Sequence, residues 1–155
     1  MVAIKTQGTF RPTIASNDAQ QRYGDAVFDM RRCSNHRVAV AVMGDVDASN
    51  GRELGRYVQR HTRISRQLVL DLRAVRFFGT FGFTALHYVS VHCARNDVDW
   101  AIVGNESVRR LLSICDPDGE LPLADDLAAA LNRLDRLAHW RHHFVWTGKA
   151  GWRAG

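Results

Sequence analysis

Apolar and polar positions change period several times along this 155-residue chain, and each change marks an element. Residues 26–33 and 37–43 (RVAVAVM) are β-prone runs separated by Ser34-Asn35-His36, a polar break suited to a hairpin. Gly44-Asp45-Val46-Asp47 ends the second strand. Asp47 or Ser49 is then placed to cap a helix whose apolar positions Leu54, Tyr57, Val58 and His61 recur at three- and four-residue spacing. Residues 67–72 (QLVLDL) are apolar apart from Asp71, the pattern of a central strand covered on both faces. A loop over residues 76–81 leads into a helical stripe of Gly82, Ala85, Leu86, Val89 and Cys93, punctuated by Asn96-Asp97. Residues 100–103 (WAIV) predict another strand. Val108, Leu111, Leu112 and Cys115 predict a short amphipathic helix closed by the turn Asp116-Pro117-Asp118-Gly119. Leu121-Pro122-Leu123 suits a short edge strand, where proline is tolerated. Asp125 and Asp126 sit at the positive end of a last helix carrying Leu127, Leu131, Leu134 and Ala138. The predicted order is ββαβαβα(β)α, an α/β fold with a mixed, mostly parallel sheet of four to five strands.

The length supports one core. We divide the chain into an N-terminal flank (1–24), one domain (25–138) and a C-terminal flank (139–155). The sequence has no run long and apolar enough to span a membrane and no secretory leader pattern in its first 24 residues, so the expected location is the cytoplasm. Cys33, Cys93 and Cys115 are widely spaced and read as small buried hydrophobes.

The net charge of +5 does not lie in the domain. Residues 25–138 hold fifteen Arg and no Lys against fifteen Asp plus Glu, and the excess sits in the flanks. A basic recognition face on the core is therefore not expected, nor is direct nucleic-acid binding by it. The C-terminal flank, with Trp140, Trp146 and Trp152 and no acid, has several readings. It could stack on single-stranded nucleic acid, meet an anionic membrane or dock on an acidic partner, or it could pack on the domain or mediate self-association as a homodimer.

With the elements in order, residues 25–138 resemble the STAS domain of bacterial anti-sigma-factor antagonists. The resemblance rests on Gly44-Asp45-Val46-Asp47 at a strand end (family pattern G-E/D-L-D), on Leu68-Val69-Leu70-Asp71-Leu72, and on Phe77-Phe78-Gly79-Thr80-Phe81-Gly82-Phe83, where the family has F-x-D-S-S/T-G-L. Ser107 to Leu112 resembles a further family segment loosely. Two positions depart from the pattern: the loop aspartate is Gly79, and the second hydroxyl position is Phe81.

The resemblance implies a non-enzymatic protein that binds an anti-sigma factor, often a serine/threonine kinase of the ATPase fold, and so frees a sigma factor. It places the phosphorylated hydroxyl at Thr80 and the partner-binding surface at Asp45, Asp47, Asn50, Gly79, Thr80, Phe81 and Gly82, with Arg52 a further contributor. An alternative within the family is an unphosphorylated interaction subunit of a signalling assembly or transport system. Thr80 also suits an ordinary helix N-cap, its hydroxyl accepting from the N–H of Gly82 or Phe83, and the two roles are compatible.

Other chemistries fit less well. A receiver-type phosphotransfer domain needs a late lysine, whereas Lys5 and Lys149 both lie in flanks. Gly79-Thr80-Phe81-Gly82 is neither a phosphate-binding loop nor a nucleophile elbow, and His87 and His92 read as partly buried structural residues, so no catalytic residues and no cofactor are expected. Asp45 and Asp47 are explained by strand-end solvation and helix capping, so no metal is expected.

Overall fold

The structure, a computed structural model, describes residues 19–154, with side chains up to residue 141. Strands β1 (Gln21–Tyr23), β2 (Ala26–Arg32) and β3 (Arg37–Val46) form an antiparallel meander. The chain then alternates: α1 (Gly51–His61), β4 (Gln67–Phe78), α2 (Thr80–Arg95), β5 (Asp99–Val103), α3 (Glu106–Cys115), β6 (Leu123–Ala124) and α4 (Leu127–Ala154). From β3 onward neighbouring strands are parallel, and the sheet runs β1-β2-β3-β4-β5-β6. The mixed α/β sheet is as expected, with six strands among the described residues rather than four or five.

Alternation assigns the two faces. Val38, Val40 and Val42 of β3 and Leu68, Leu70 and Leu72 of β4 face α1, α2 and α3, and each is fully buried. Burying a side chain of this kind contributes about 1.5–3 kcal/mol. Val69, Ala101 and Val103 face the other way, against Ala130 and Leu134 of α4. A strand covered on both sides reads as a continuous apolar run, hence the pattern of β4.

Strand β4 is longer than its pattern predicts. Its register against β3 skips between Ala41 and Met43 and again between Gly44 and Asp45, each time placing an extra residue on β4. Leu72, Val75 and Phe78 are consequently buried at a spacing of three. Period-two reading therefore ends at Leu72, and the predicted loop over 76–81 contracts to Gly79 alone.

Several other expectations are corrected. Tyr57 donates its hydroxyl hydrogen bond to the Ala19 carbonyl, and β1 pairs with β2, so residues from the end of the predicted N-terminal flank belong to the sheet. Residues 1–18 lie outside the described ones. Helix α4 runs unbroken through the predicted boundary at 138/139. The side chains of Trp146 and Trp152 lie outside the described residues. Only Cys93 is buried; Cys33 is exposed and Cys115 half-buried, because Cys33 falls one residue beyond the paired part of β2.

Candidate functional site

Two chain segments meet at one end of the sheet. The first is the end of β3 with the turn that follows it. Gly44 there has φ +93, and a Cβ added to it would lie 2.1 Å from the Asp25 carbonyl oxygen, so only glycine passes. The Asp45 N–H then bonds to the same Asp25 oxygen at 3.0 Å, and the Asp45 carboxylate turns outward to Arg76 at 3.2 Å. Asp47 folds back on its own turn, accepting from the Ser49 N–H at 2.9 Å and the Ser49 hydroxyl at 2.6 Å. Those two bonds hold its carboxyl below the ordinary aspartate value of 3.8.

Neither Asp47 nor Ser49 caps α1. The N-cap is Asn50, and its side chain caps nothing either. Fully buried, Asn50 donates to the carbonyls of Tyr23 (3.0 Å) and Asp45 (2.8 Å) and accepts from the Asp47 N–H (2.9 Å). This satisfies the buried polar groups of three segments at once. The predicted contact residue Asn50 is thus a rivet beneath the turn. Its burial removes it from the surface that a partner could touch.

The second segment is the joint between β4 and α2. Gly79 is its N-cap, in extended backbone, with its N–H directed to the Val46 carbonyl at 3.5 Å. The N–H groups of Gly82 and Phe83 bond to the Gly79 carbonyl, at 2.9 and 3.2 Å. Thr80 is therefore the first residue of the helix and not its cap, and its side chain is exposed. The expected hydroxyl cap gives way because β4 runs on to Phe78 and moves the helix start back by one residue. Gly82 is buried on Phe78, where a Cβ would come within 2.7 Å of three ring atoms. A Cβ added to Gly51 of α1 would likewise come within 2.8 Å of the Phe81 carbonyl oxygen, so the two segments pack closely there.

The resulting surface presents Asp45 with Arg76, Asp47, Thr80 and Phe81. Phe81 is 53% exposed and Phe77, just upstream, 54%. Gly79 is half-buried and Gly82 buried, so both position the helix start. Beside it lies a groove of about 610 Å³ between α1 and α2, lined by Ser49, Arg52, Arg56, Phe81, Thr84 and Tyr88 among others.

Phe77 and Tyr88 were missed by the sequence reading. The signal was there: Phe81, Tyr88 and Val91 form a second apolar stripe on α2, at spacings of seven and three, all exposed. His92 is half-buried as expected, sharing a 2.8 Å hydrogen bond with the Thr62 hydroxyl. His87 points to solvent instead, because the buried stripe of α2 runs through Leu86 and Val89.

Against known proteins, residues 28–130 match the STAS domain model. Osmosensory protein A of Mycobacterium tuberculosis is 30% identical over 143 residues, 88% of this chain and 86% of that protein. Among solved structures, an anti-sigma factor antagonist from Mycobacterium paratuberculosis aligns at 20% identity with a TM-score of 0.58, over 70% of this chain and 92% of that one. The anti-sigma factor antagonist SpoIIAA, in its unphosphorylated form, aligns at 10% identity with a TM-score of 0.57, over 72% and 96%. At these identities the structural likeness speaks to the fold. The family model and the M. tuberculosis relative together span the β2 to α4 order described above, and this chain belongs to the STAS domain family.

Proposed function

We propose that this protein acts by binding, as an antagonist of an anti-sigma factor, and that phosphorylation of Thr80 switches the binding off. The observation that carries this reading is the placement of Thr80. It is exposed on the first turn of α2, between the exposed rings of Phe77 and Phe81 and beside the turn of Asp45 and Asp47.

The chemistry suits a switch that leaves the fold alone. The first amides of a helix lack intrahelical acceptors and favour an anion, so α2 tolerates a phosphate there. A partner seated on Phe77 and Phe81 does not. The phosphate adds about −1.5 to −2 charge at an apolar contact, so the cost of desolvating it opposes binding. The partner that fits is an anti-sigma factor, and one of the ATPase fold would also supply the phosphate. The action needs no catalytic group or cofactor of this chain and takes place in the cytoplasm. The name of the M. tuberculosis relative makes osmotic stress the first condition to examine.

The test is calorimetric titration of candidate anti-sigma factors from the source organism with wild type, Thr80→Ala, Thr80→Glu and Phe81→Ala. We expect Thr80→Ala to bind as wild type does and Thr80→Glu to bind at least about tenfold more weakly, a difference near 1.4 kcal/mol. Equal binding by Thr80→Glu and Thr80→Ala would sink the switch and favour an unphosphorylated interaction subunit. Unchanged binding by Phe81→Ala would remove this surface from the interface.

A further inference from the structure

We infer that the trough between α1 and α2 is a docking site for an acidic, amphipathic helical segment of a partner protein. The charges of the core cancel in number but are segregated in space. Arg52, Arg56 and Arg60 recur every four residues on α1, and Arg63 follows in the next turn; all four are exposed. That spacing puts them in one row along the helix. The acids that balance them in number lie elsewhere, five of them in residues 116–126. Glu53, paired with Arg56 at 3.3 Å, is the acid of the trough lining.

The row borders two adjacent hollows. The groove of about 610 Å³ near Phe81 and a second hollow of about 600 Å³, lined by Arg56, Arg60, Arg63, His92 and Asn96, share Arg56. Together they run from the start of α2 to its C-cap. Gly55 forms part of the floor. A Cβ there would come within 2.8 Å of the Tyr88 ring, which lies over it with its hydroxyl bonded to Gln59 at 2.6 Å. The groove is therefore part apolar, floored by Gly51, Gly55 and Ala85 and flanked by the exposed rings of Phe81 and Tyr88, with arginines along one side.

Those two properties together select the occupant. A row of guanidinium groups recognises carboxylates, in bidentate fashion where geometry allows. An apolar floor beside it takes side chains at helical spacing, as helix-in-groove recognition does. Duplex nucleic acid would use the arginines but leave the apolar floor and the aromatic flanks unused. The site shares Phe81 with the surface proposed for the Thr80 switch but extends well beyond it. Its far hollow lies at the opposite end of α2, so either reading can fail without the other.

The experiment measures fluorescence anisotropy of three labelled probes with the full chain. They are a short helical peptide of glutamate with leucine at three- and four-residue spacing, a peptide of the same composition with scattered leucines, and duplex DNA. The amphipathic peptide should bind best, more weakly as salt rises. Reversing two charges in Arg56→Glu/Arg60→Glu should weaken it about thirtyfold, from two attractions lost and two repulsions gained. Arg52→Gln/Arg56→Gln is the milder variant, expected to lose binding in the same direction, and thermal unfolding checks that both fold. Tyr88→Ala should cost about fivefold. Equal binding of the scattered peptide, tighter binding of DNA, or no effect of either arginine pair or of Tyr88→Ala would each overturn the proposal.

Discussion

Replacing Asn50 with alanine removes a completely buried side chain whose three hydrogen bonds all reach backbone groups. The substitution strands the Asp47 N–H and the carbonyls of Tyr23 and Asp45, at a net cost of about 1 kcal/mol per bond. The expected loss is therefore about 3 kcal/mol, a large share of the roughly 5–15 kcal/mol that holds a domain together. For a chain of this size that lowers the melting temperature by about 6–12 °C. Asn50→Asp is the sharper variant. It keeps shape and acceptor but turns a carboxylate oxygen toward two carbonyls that now receive an N–H. At neutral pH it should be less stable than Asn50→Ala, and protonation in acid should narrow the gap by restoring one donor. Urea unfolding followed by far-ultraviolet circular dichroism measures both, with an unchanged m value required for the comparison. A loss below about 1 kcal/mol for Asn50→Ala, or an Asn50→Asp variant more stable than Asn50→Ala at neutral pH, would refute the account of the turn.

Gly82→Ala forces a methyl to within 2.7 Å of the Phe78 ring, and we expect a net destabilisation of about 1–3 kcal/mol by thermal melting despite the better helix propensity of alanine. A stabilised variant would show that Phe78 can move aside freely. Stability should also fall on acidification. Burial lowers the pKa of His61 and of His92 from the usual 6.5, aided for His61 by the Arg60 charge, so the folded state gives up protons that the unfolded chain keeps. This contribution is complete above the unfolded value and is lost as pH falls through the folded ones. The loss should set in as pH falls past about 6.5 and shrink in His61→Gln/His92→Gln, whereas an unchanged pH dependence would place its origin elsewhere. Asp47, also lowered, acts in the same direction, but only in the range below 3.8.

What the sequence revealed depended on how local the cause was. The helical stripes of Leu54, Tyr57 and Val58 and of Gly82, Ala85, Leu86, Val89 and Cys93 were readable because burial there follows one helix's own period. The end of β4 was not, because two bulges in its pairing with β3 reset the side-chain alternation after Asp71. Thr80 then took the wrong helical position, since its place depends on where β4 stops. Asn50 looked like a polar loop residue, and its burial comes from β1 and the start of α1 closing over it. Charge misled in the same way: a neutral count over residues 25–138 is compatible with an arginine row on α1 and acids gathered in 116–126.

The backbone does not impose the departure at Gly79. Its φ of −99 and ψ of −160 are open to any residue, so no left-handed turn requires glycine there. A Cβ at 79 would instead meet the Phe77 ring at 2.9 Å. The family pattern has phenylalanine at the position of Phe77 as well, so the ring does not by itself exclude a carboxylate at 79; with glycine there, the ring lies close over the gap. Residues 77–83 consequently hold no charge at all, with Phe77 and Phe81 both more than half exposed on either side of Thr80. A phosphate on Thr80 would be the first charge on that stretch. The contrast between its two states, apolar and dianionic, is then greater than where a carboxylate is already present, so loss of the aspartate and retention of a switch are physically compatible.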